Sequence, residues 1–311
     1  MSQNFSKVNE FKLGQQIYGL FLVKSKKSGT TTQNKEYLDI ELGDKTGSII
    51  GKLWDVTIQA EELEVNDVAY ATGKITEYMG VLQLRLDYIE KTKEKTSALD
   101  YIIQAPYSSA EMDASIERVI ESFVDTEIQS LVGHLYSGHK DEFLASPAAR
   151  GMHHAIYGGL GYHTVTMLKT GEALLEIYPH LNRDLLLGGI ILHDLAKIFE
   201  MVSSLGNVID YSRGGYLLGH IVQGTMMIET AAAELNISQR TKEFLQHMVV
   251  SHHEKGEWGS PQPPRVPEAI LLHFIDNIDA KMYMVKELID NVKEGEYTEY
   301  HKGLRQKLVI Y

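Results

Sequence analysis

The sequence predicts two parts, an N-terminal all-β barrel followed by an all-α domain, and three observations carry that prediction. Over the first 90 residues, short β-branched and aromatic runs alternate with turns containing Gly, Asp and Thr. From about residue 110 the apolar residues recur instead at three- and four-residue spacing, as in IERVIESFV and FLQHMVV. Between the two patterns lies a charged stretch, KTKEKT, that runs toward Pro106. The boundaries read this way are 1–92 for the barrel, 93–112 for a linker and 113–311 for the helical domain.

The strands are expected at QIYGLFLVK (16–24), YLDIEL (37–42), SIIGKLW (48–54), DVAYATGKI (67–75) and VLQLRLDYI (81–89). Leu38, Ile40 and Leu42 share one face of their strand, and Leu82, Leu84 and Leu86 share one face of another. Five strands in such a length suit a small closed barrel, and the OB-fold is the commonest five-stranded candidate. The helices that follow are expected at 110–123, 126–137, 139–146, 151–178, 184–200, 214–235, 238–251 and 266–291. The tail, TEYHKGLRQKLVIY, ends in an apolar cluster suited to docking on the body or on a second subunit, so a homo-oligomer is one expectation.

Composition narrows the function. With 43% hydrophobic residues the chain can bury a sizeable core. It has no cysteine, which excludes disulfides and thiolate metal sites and suits a reducing compartment. The first residues carry no apolar signal region and no apolar run reaches spanning length, so a cytoplasmic protein with no membrane partner is expected. A net charge of -12 argues against duplex DNA held by bulk charge. Residues 1–95 carry 13 basic against 14 acidic side chains, so the acidity lies in the remainder, an apt place for divalent cations.

One stretch, LLLGGIILHDLAKIF (185–199), poses the central problem. A helix this apolar belongs in a core, yet it contains His193, Asp194 and Lys197, whose desolvation is costly. Similar settings recur at His163, His220, His252-His253 and Asp276, each flanked by apolar residues. Any one of these histidines alone is more simply a hydrogen-bonded core residue. Together they form the nitrogen and carboxylate ligand set of divalent metals such as Mn²⁺, Fe²⁺ or Zn²⁺. A cation would offset their burial.

The order H…HD…H…HH…D resembles the HD superfamily of metal-dependent phosphohydrolases, an all-α fold. With an N-terminal OB-like barrel it resembles more narrowly the YhaM family of bacterial 3′–5′ exoribonucleases. The phrases that carry the likeness are MHHAIYGGLGYHT, LHDLAK, LLGHIV, SHHEKGEWGSP and EAILLHFIDNIDAKM. Two positions depart from the pattern: Ala196 stands where glycine is frequent, and Tyr162 precedes His163 where an acidic residue is frequent.

The resemblance implies that His163, His193, Asp194 and Asp276 form one metal site. Asp194 would bridge to a second ion held by His220 and by His252 or His253. Mn²⁺ is the first expectation, with Co²⁺, Fe²⁺ and Mg²⁺ as alternatives. Lys197 would hold non-bridging phosphate oxygens, and Asp194, Lys197 and His253 would be catalytic. His153, His154 and Trp258 are candidates for substrate contact, with core or capping roles equally open for the two histidines. Asp279, three residues beyond Asp276, reads first as an exposed helical residue, with a hydrogen bond to a ligand as the alternative, and His273 as a core histidine.

On the barrel, Tyr37 and Trp54 are candidates for base stacking, and Lys24, Lys52 and Arg85 for backbone phosphates. Packing of these aromatics on a neighbouring domain is the rival reading. Two other functions compete with single-stranded RNA or DNA hydrolysis: cleavage of a small nucleotide or cyclic dinucleotide, and strand binding with a purely structural metal site.

Overall fold

A computed structural model describes residues 7–151, 153–290 and 292–311, and the chain divides into two compact units, Met1–Ile103 and Gln104–Tyr311. In the first unit, β1 (Gln16–Thr30), β2 (Glu36–Asp44), β3 (Gly47–Leu53), β4 (Val68–Tyr78) and β5 (Val81–Lys91) close a barrel in the order β1-β2-β3-β5-β4. Only the β3–β5 pairing is parallel. Alternate residues such as Ile40, Leu42, Ile75 and Leu84 fill the interior and leave no room for a lumen. A one-turn helix, α1 (Ile58–Glu61), capped by Thr57, connects β3 to β4.

Within 93–112, Ala98–Tyr101 form a 3₁₀ turn, and α2 (Ser109–Glu121) already begins at a Ser108/Glu111 capping box. There follow α3 (Thr126–Ser137), α4 (Lys140–Ala145), α5 (Gly159–Ile177), α6 (Arg183–Leu192) and α7 (Lys197–Glu200). The order closes with α8 (Arg213–Glu234), α9 (Gln239–Ser251) and α10 (Pro267–Ile289). Among the described residues, no helix is long and apolar enough to cross a membrane.

Three expectations are corrected. The helix expected from 151 begins only at Gly159, because His154 (φ 49) and Gly158 (φ 73) take left-handed backbone that a helix does not accommodate. The helix expected over 184–200 breaks into α6 and α7, with 193–196 in the turn between them. A two-stranded hairpin, β6 (Met201–Ser204) and β7 (Asn207–Tyr211), interrupts the otherwise all-α unit. Its tight turn places both Leu205 (φ 47) and Gly206 (φ 80) at positive φ, as a primed turn requires.

Helix α6 is the axis of the second unit. Every residue from Asp184 to Leu192 is buried, and α3, α5, α9 and α10 pack around it. Gly188 and Gly189 allow that crowding: a Cβ at Gly189 would lie 2.5–3.1 Å from Met248, and one at Gly188 3.1 Å from Ile128. The residues His193 and Asp194 therefore emerge from the most rigidly packed element of the domain. Gly189→Val is expected to cost about 1–3 kcal/mol by overpacking. Chemical denaturation measures this, and an unchanged midpoint would contradict the packing described.

Candidate metal centre and cleft

Five elements bring the predicted ligands together. His163 lies on α5, His193 and Asp194 in the turn after α6, His220 on α8, His252 and His253 just beyond α9, and Asp276 on α10. His220 owes its placement to Gly219, which bends α8 with φ 69 and ψ 168, a conformation open chiefly to glycine. His253 is pinned by the turn after it, its N–H donating to Ser260 Oγ at 3.0 Å.

Each histidine is anchored through the same ring nitrogen. The Nδ1–H of His193 donates to the Ile190 carbonyl at 2.7 Å, that of His252 to Val249 at 2.7 Å, and that of His253 to Trp258 at 2.6 Å. His163 Nδ1 donates to Asp279 at 2.6 Å, and His220 Nδ1 to Glu200 at 2.9 Å. A ring held this way turns Nε2 inward as the free donor atom.

The inward atoms find no conventional partner. His163 Nε2, His193 Nε2, His220 Nε2, His252 Nε2 and Asp194 Oδ1 are buried without a hydrogen bond; among the described residues only Thr96 Oγ1 shares that condition. Orphaned buried acceptors are rare and costly. Three groups offer ligand atoms within 4.8 Å of one another: His153, His154 and His163, and two that include the orphaned atoms, His163, His193 and Asp276 on one side and His220, His252 and His253 on the other. Asp194 lies between them, Oδ2 3.2 Å from His193 Nε2 and Oδ1 3.4 Å from His220 Nε2 and 3.8 Å from His252 Nε2. This donor set fits hard-to-borderline divalent cations.

Protonation matches that fit. Burial pushes the Asp194 carboxyl up, but the Lys197 ammonium and His193 outweigh it and hold the group well below its ordinary value. Asp276 is held low in the same way by His163 and His193. Burial lowers His252 and His253, and their neighbouring imidazoles add to this for His252. At neutral pH the carboxylates are thus anionic and these two rings neutral, as metal binding requires. His163 differs: burial would lower it, but Asp276 and Asp279 push it up to about 9, so a cation there competes with a proton.

The family model described as "HD domain" matches residues 160–281. Residues 160–281 are an HD domain. Solved structures similar to this chain include the second OB-fold domain of replication protein A from Methanococcus maripaludis, at 22% identity, 30% of this chain, 98% of that domain and a TM-score of 0.24. A replication protein A heterotrimer bound to ssDNA matches at 16% identity over 28% of this chain and 64% of that one, with a TM-score of 0.23. Entamoeba histolytica asparaginyl-tRNA synthetase in complex with asparaginyl-adenylate matches at 14% identity over 45% and 36%, with a TM-score of 0.25. The OB-like character of the barrel rests on its own strand order.

Beside the HD-domain donor sets lies a cavity of about 670 Å³ lined by His153, His253, Trp258 and Asp276, among others. His154 is buried away from it against Tyr283, ring centroids 3.9 Å apart, with Nε2 3.5 Å from Asp279. Burial and the neighbouring His163 lower His153 to about 4 and His154 to about 2, so both rings are neutral. Lys197 is committed within the site, 2.7 Å from Asp194 and donating to the Ala148 carbonyl at 2.9 Å. It is no surface lysine.

On the barrel, Tyr37 and Trp54 form a ring pair with centroids 5.2 Å apart, and Lys52 lies 4.9 Å over the Tyr37 ring while bridging to Asp39 at 2.6 Å. Arg85 is the register partner of Lys52 across β3–β5. These four form one patch. Lys24 does not join it: its side chain covers Gly43, at the far end of β2 from Tyr37, about 20 Å along the strand.

Two further carboxylates orient the histidines of the centre, and sequence reasoning missed one of them, Glu200. Of the two readings of Asp279 the hydrogen-bonding one holds, since it orients His163, and Glu200 orients His220 through both its N–H and its ring. The spacing of Asp279 one turn beyond Asp276 was a usable signal, whereas Glu200 depends on the unexpected break between α6 and α7. Asp279→Asn is expected to weaken Mn²⁺ binding about 10–100-fold without unfolding the chain. Isothermal titration checks this, and an unaltered affinity would remove Asp279 from the centre.

Proposed function

We propose that the chain is a metal-dependent 3′–5′ exonuclease that hydrolyses single-stranded RNA, with single-stranded DNA as a second substrate, to 5′-mononucleotides. The single observation that carries this reading is the pair of donor sets with the Asp194 carboxylate between them. His163, His193, Asp194 and Asp276 would hold one cation, and Asp194, His220, His252 and His253 the other, with Mn²⁺ the first candidate. Bound there, the two ions supply an acidified water and stabilise the leaving oxygen of an in-line phosphodiester displacement.

The chain's own residues supply the rest. Lys197 places a positive charge beside Asp194, suited to the charge that builds on a phosphate in the cleft. Burial keeps His253 neutral on the cavity wall, the state in which its Nε2 could serve as a ligand. The aromatic and basic patch of Tyr37, Lys52, Trp54 and Arg85 gives the barrel a stacking platform for bases, which accounts for a polymer preference. The YhaM-like motif order supports the exonucleolytic polarity. A second reading, hydrolysis of a free nucleotide, draws on the cavity of about 670 Å³, which is of a size to enclose a small ligand.

With 5′-labelled RNA and Mn²⁺, a ladder shrinking from the 3′ end is expected, abolished by chelation. An intact oligomer alongside consumption of a free nucleotide would favour the second reading. Asp194→Ala is expected to lower the rate at least about 10³-fold, since several kcal/mol of charge stabilisation is lost. Trp54→Ala is expected to weaken oligonucleotide binding about 5- to 100-fold, the range for one stacked base. Fluorescence anisotropy measures it, and wild-type affinity would assign the patch another role.

A further inference from the structure

The cavity beside the metal-donor sets holds positive charge that the proposed chemistry does not use. Its lining includes Lys281 from α10, and Lys302 and Arg305 from the C-terminal tail. All three are exposed, and none forms an ion pair with a described residue. Three cations without an ion-pair partner thus share the lining with the single carboxylate of Asp276, in a chain whose net charge is -12. The family match ends at residue 281, so Lys302 and Arg305 lie outside it.

The tail is folded so as to present them. Thr298 is buried; its N–H donates to Leu308 O at 2.8 Å, and its Oγ1 accepts from Leu308 N–H at 2.9 Å. Bridges between Tyr297 and Val309 and between His301 and Gln306 close a hairpin-like loop around them. At its tip, Leu304 N–H donates to His301 Nδ1 at 3.3 Å, and Arg305 takes the left-handed backbone with φ 54. Lys281 joins from the α10 face that also carries Asn277, Ala280 and Met284, at three- and four-residue spacing.

We propose that the tip Lys302-Gly303-Leu304-Arg305, with Lys281, is a phosphate-binding subsite for the phosphodiester adjacent to the one hydrolysed. The proposal rests on the exonuclease reading. A strand cut at its 3′ end has no phosphate beyond the terminal ribose, so the only neighbouring phosphate lies upstream. An arginine fork and two ammonium groups match that anion, and arginine can grip it through two parallel hydrogen bonds. The subsite favours a polymer over a lone phosphate ester and makes the tail part of substrate recognition.

The test is a binding cycle on the full chain in chelator, so that nothing is hydrolysed. The probes are a 5′-fluorescein single-stranded hexanucleotide and the same oligomer with one neutral methylphosphonate at the linkage next to the 3′-terminal one. Lys302→Ala/Arg305→Ala is expected to bind the native oligomer about tenfold more weakly or worse, in the range for charged hydrogen bonds. The neutral linkage should weaken the wild type by a similar factor, and the variant should no longer distinguish the two probes. A variant that binds the native probe like wild type, or that still discriminates the linkages, overturns the subsite. Circular dichroism of the variant excludes misfolding, and Lys302→Arg/Arg305→Lys, which keeps the charge, should recover most of the affinity and overturns the subsite if it does not. If the cycle behaves as expected while Mn²⁺-loaded wild type leaves RNA uncut, the exonuclease reading fails and the phosphate site stands.

Discussion

The fixed direction of five imidazole rings is the constraint on which the helical unit depends. Each gives its Nδ1–H to an acceptor behind it, three to backbone carbonyls and two to the carboxylates of Glu200 and Asp279. What remains is a set of inward lone pairs around the Asp194 carboxylate, most of them buried and unpartnered. Polar atoms in that state oppose folding unless something binds them. The domain thus carries an instability at its centre that a divalent cation would relieve, and its affinity for that ion would then add to fold stability.

The surrounding fold holds that geometry by packing. Helix α6 is enclosed on all sides, and its two glycines let α3 and α9 approach closely enough to fix where its last turn points. The kink at Gly219 and the turn that ends at Ser260 add local constraints on His220 and His253. Because these constraints come from separate segments, the two donor sets are preorganised before any ion arrives. The turn that carries His253 and helix α10 also line the adjacent cavity, so the candidate metal centre and the cavity share part of their walls.

Much of this was legible in the sequence, and the reason is physical. The barrel strands show in period-two alternation at Leu38, Ile40 and Leu42, and the observed strands extend those segments by a few residues. The convergence of His163, His193, Asp194, His220, His252, His253 and Asp276 was visible because ionisable side chains in apolar runs need an explanation. The hairpin 201–211 was missed because MVSSLGNVIDY is short and follows a helical pattern, and its turn depends on a leucine at positive φ. Glu200 was missed because its role exists only once that hairpin ends the helix. That Lys24 lies apart from Tyr37 and Lys52 depends on register along β2, which composition does not reveal. The tail was read for its apolar end, while its cations matter through a long-range fold.

The most direct measurement is anomalous diffraction at the manganese edge from crystals of the full chain grown with Mn²⁺. The account predicts two peaks, one among His163, His193, Asp194 and Asp276, the other among Asp194, His220, His252 and His253. Diffraction of comparable quality showing no peak at Asp194, with the histidine Nε2 atoms bonded to water or to one another, would contradict it.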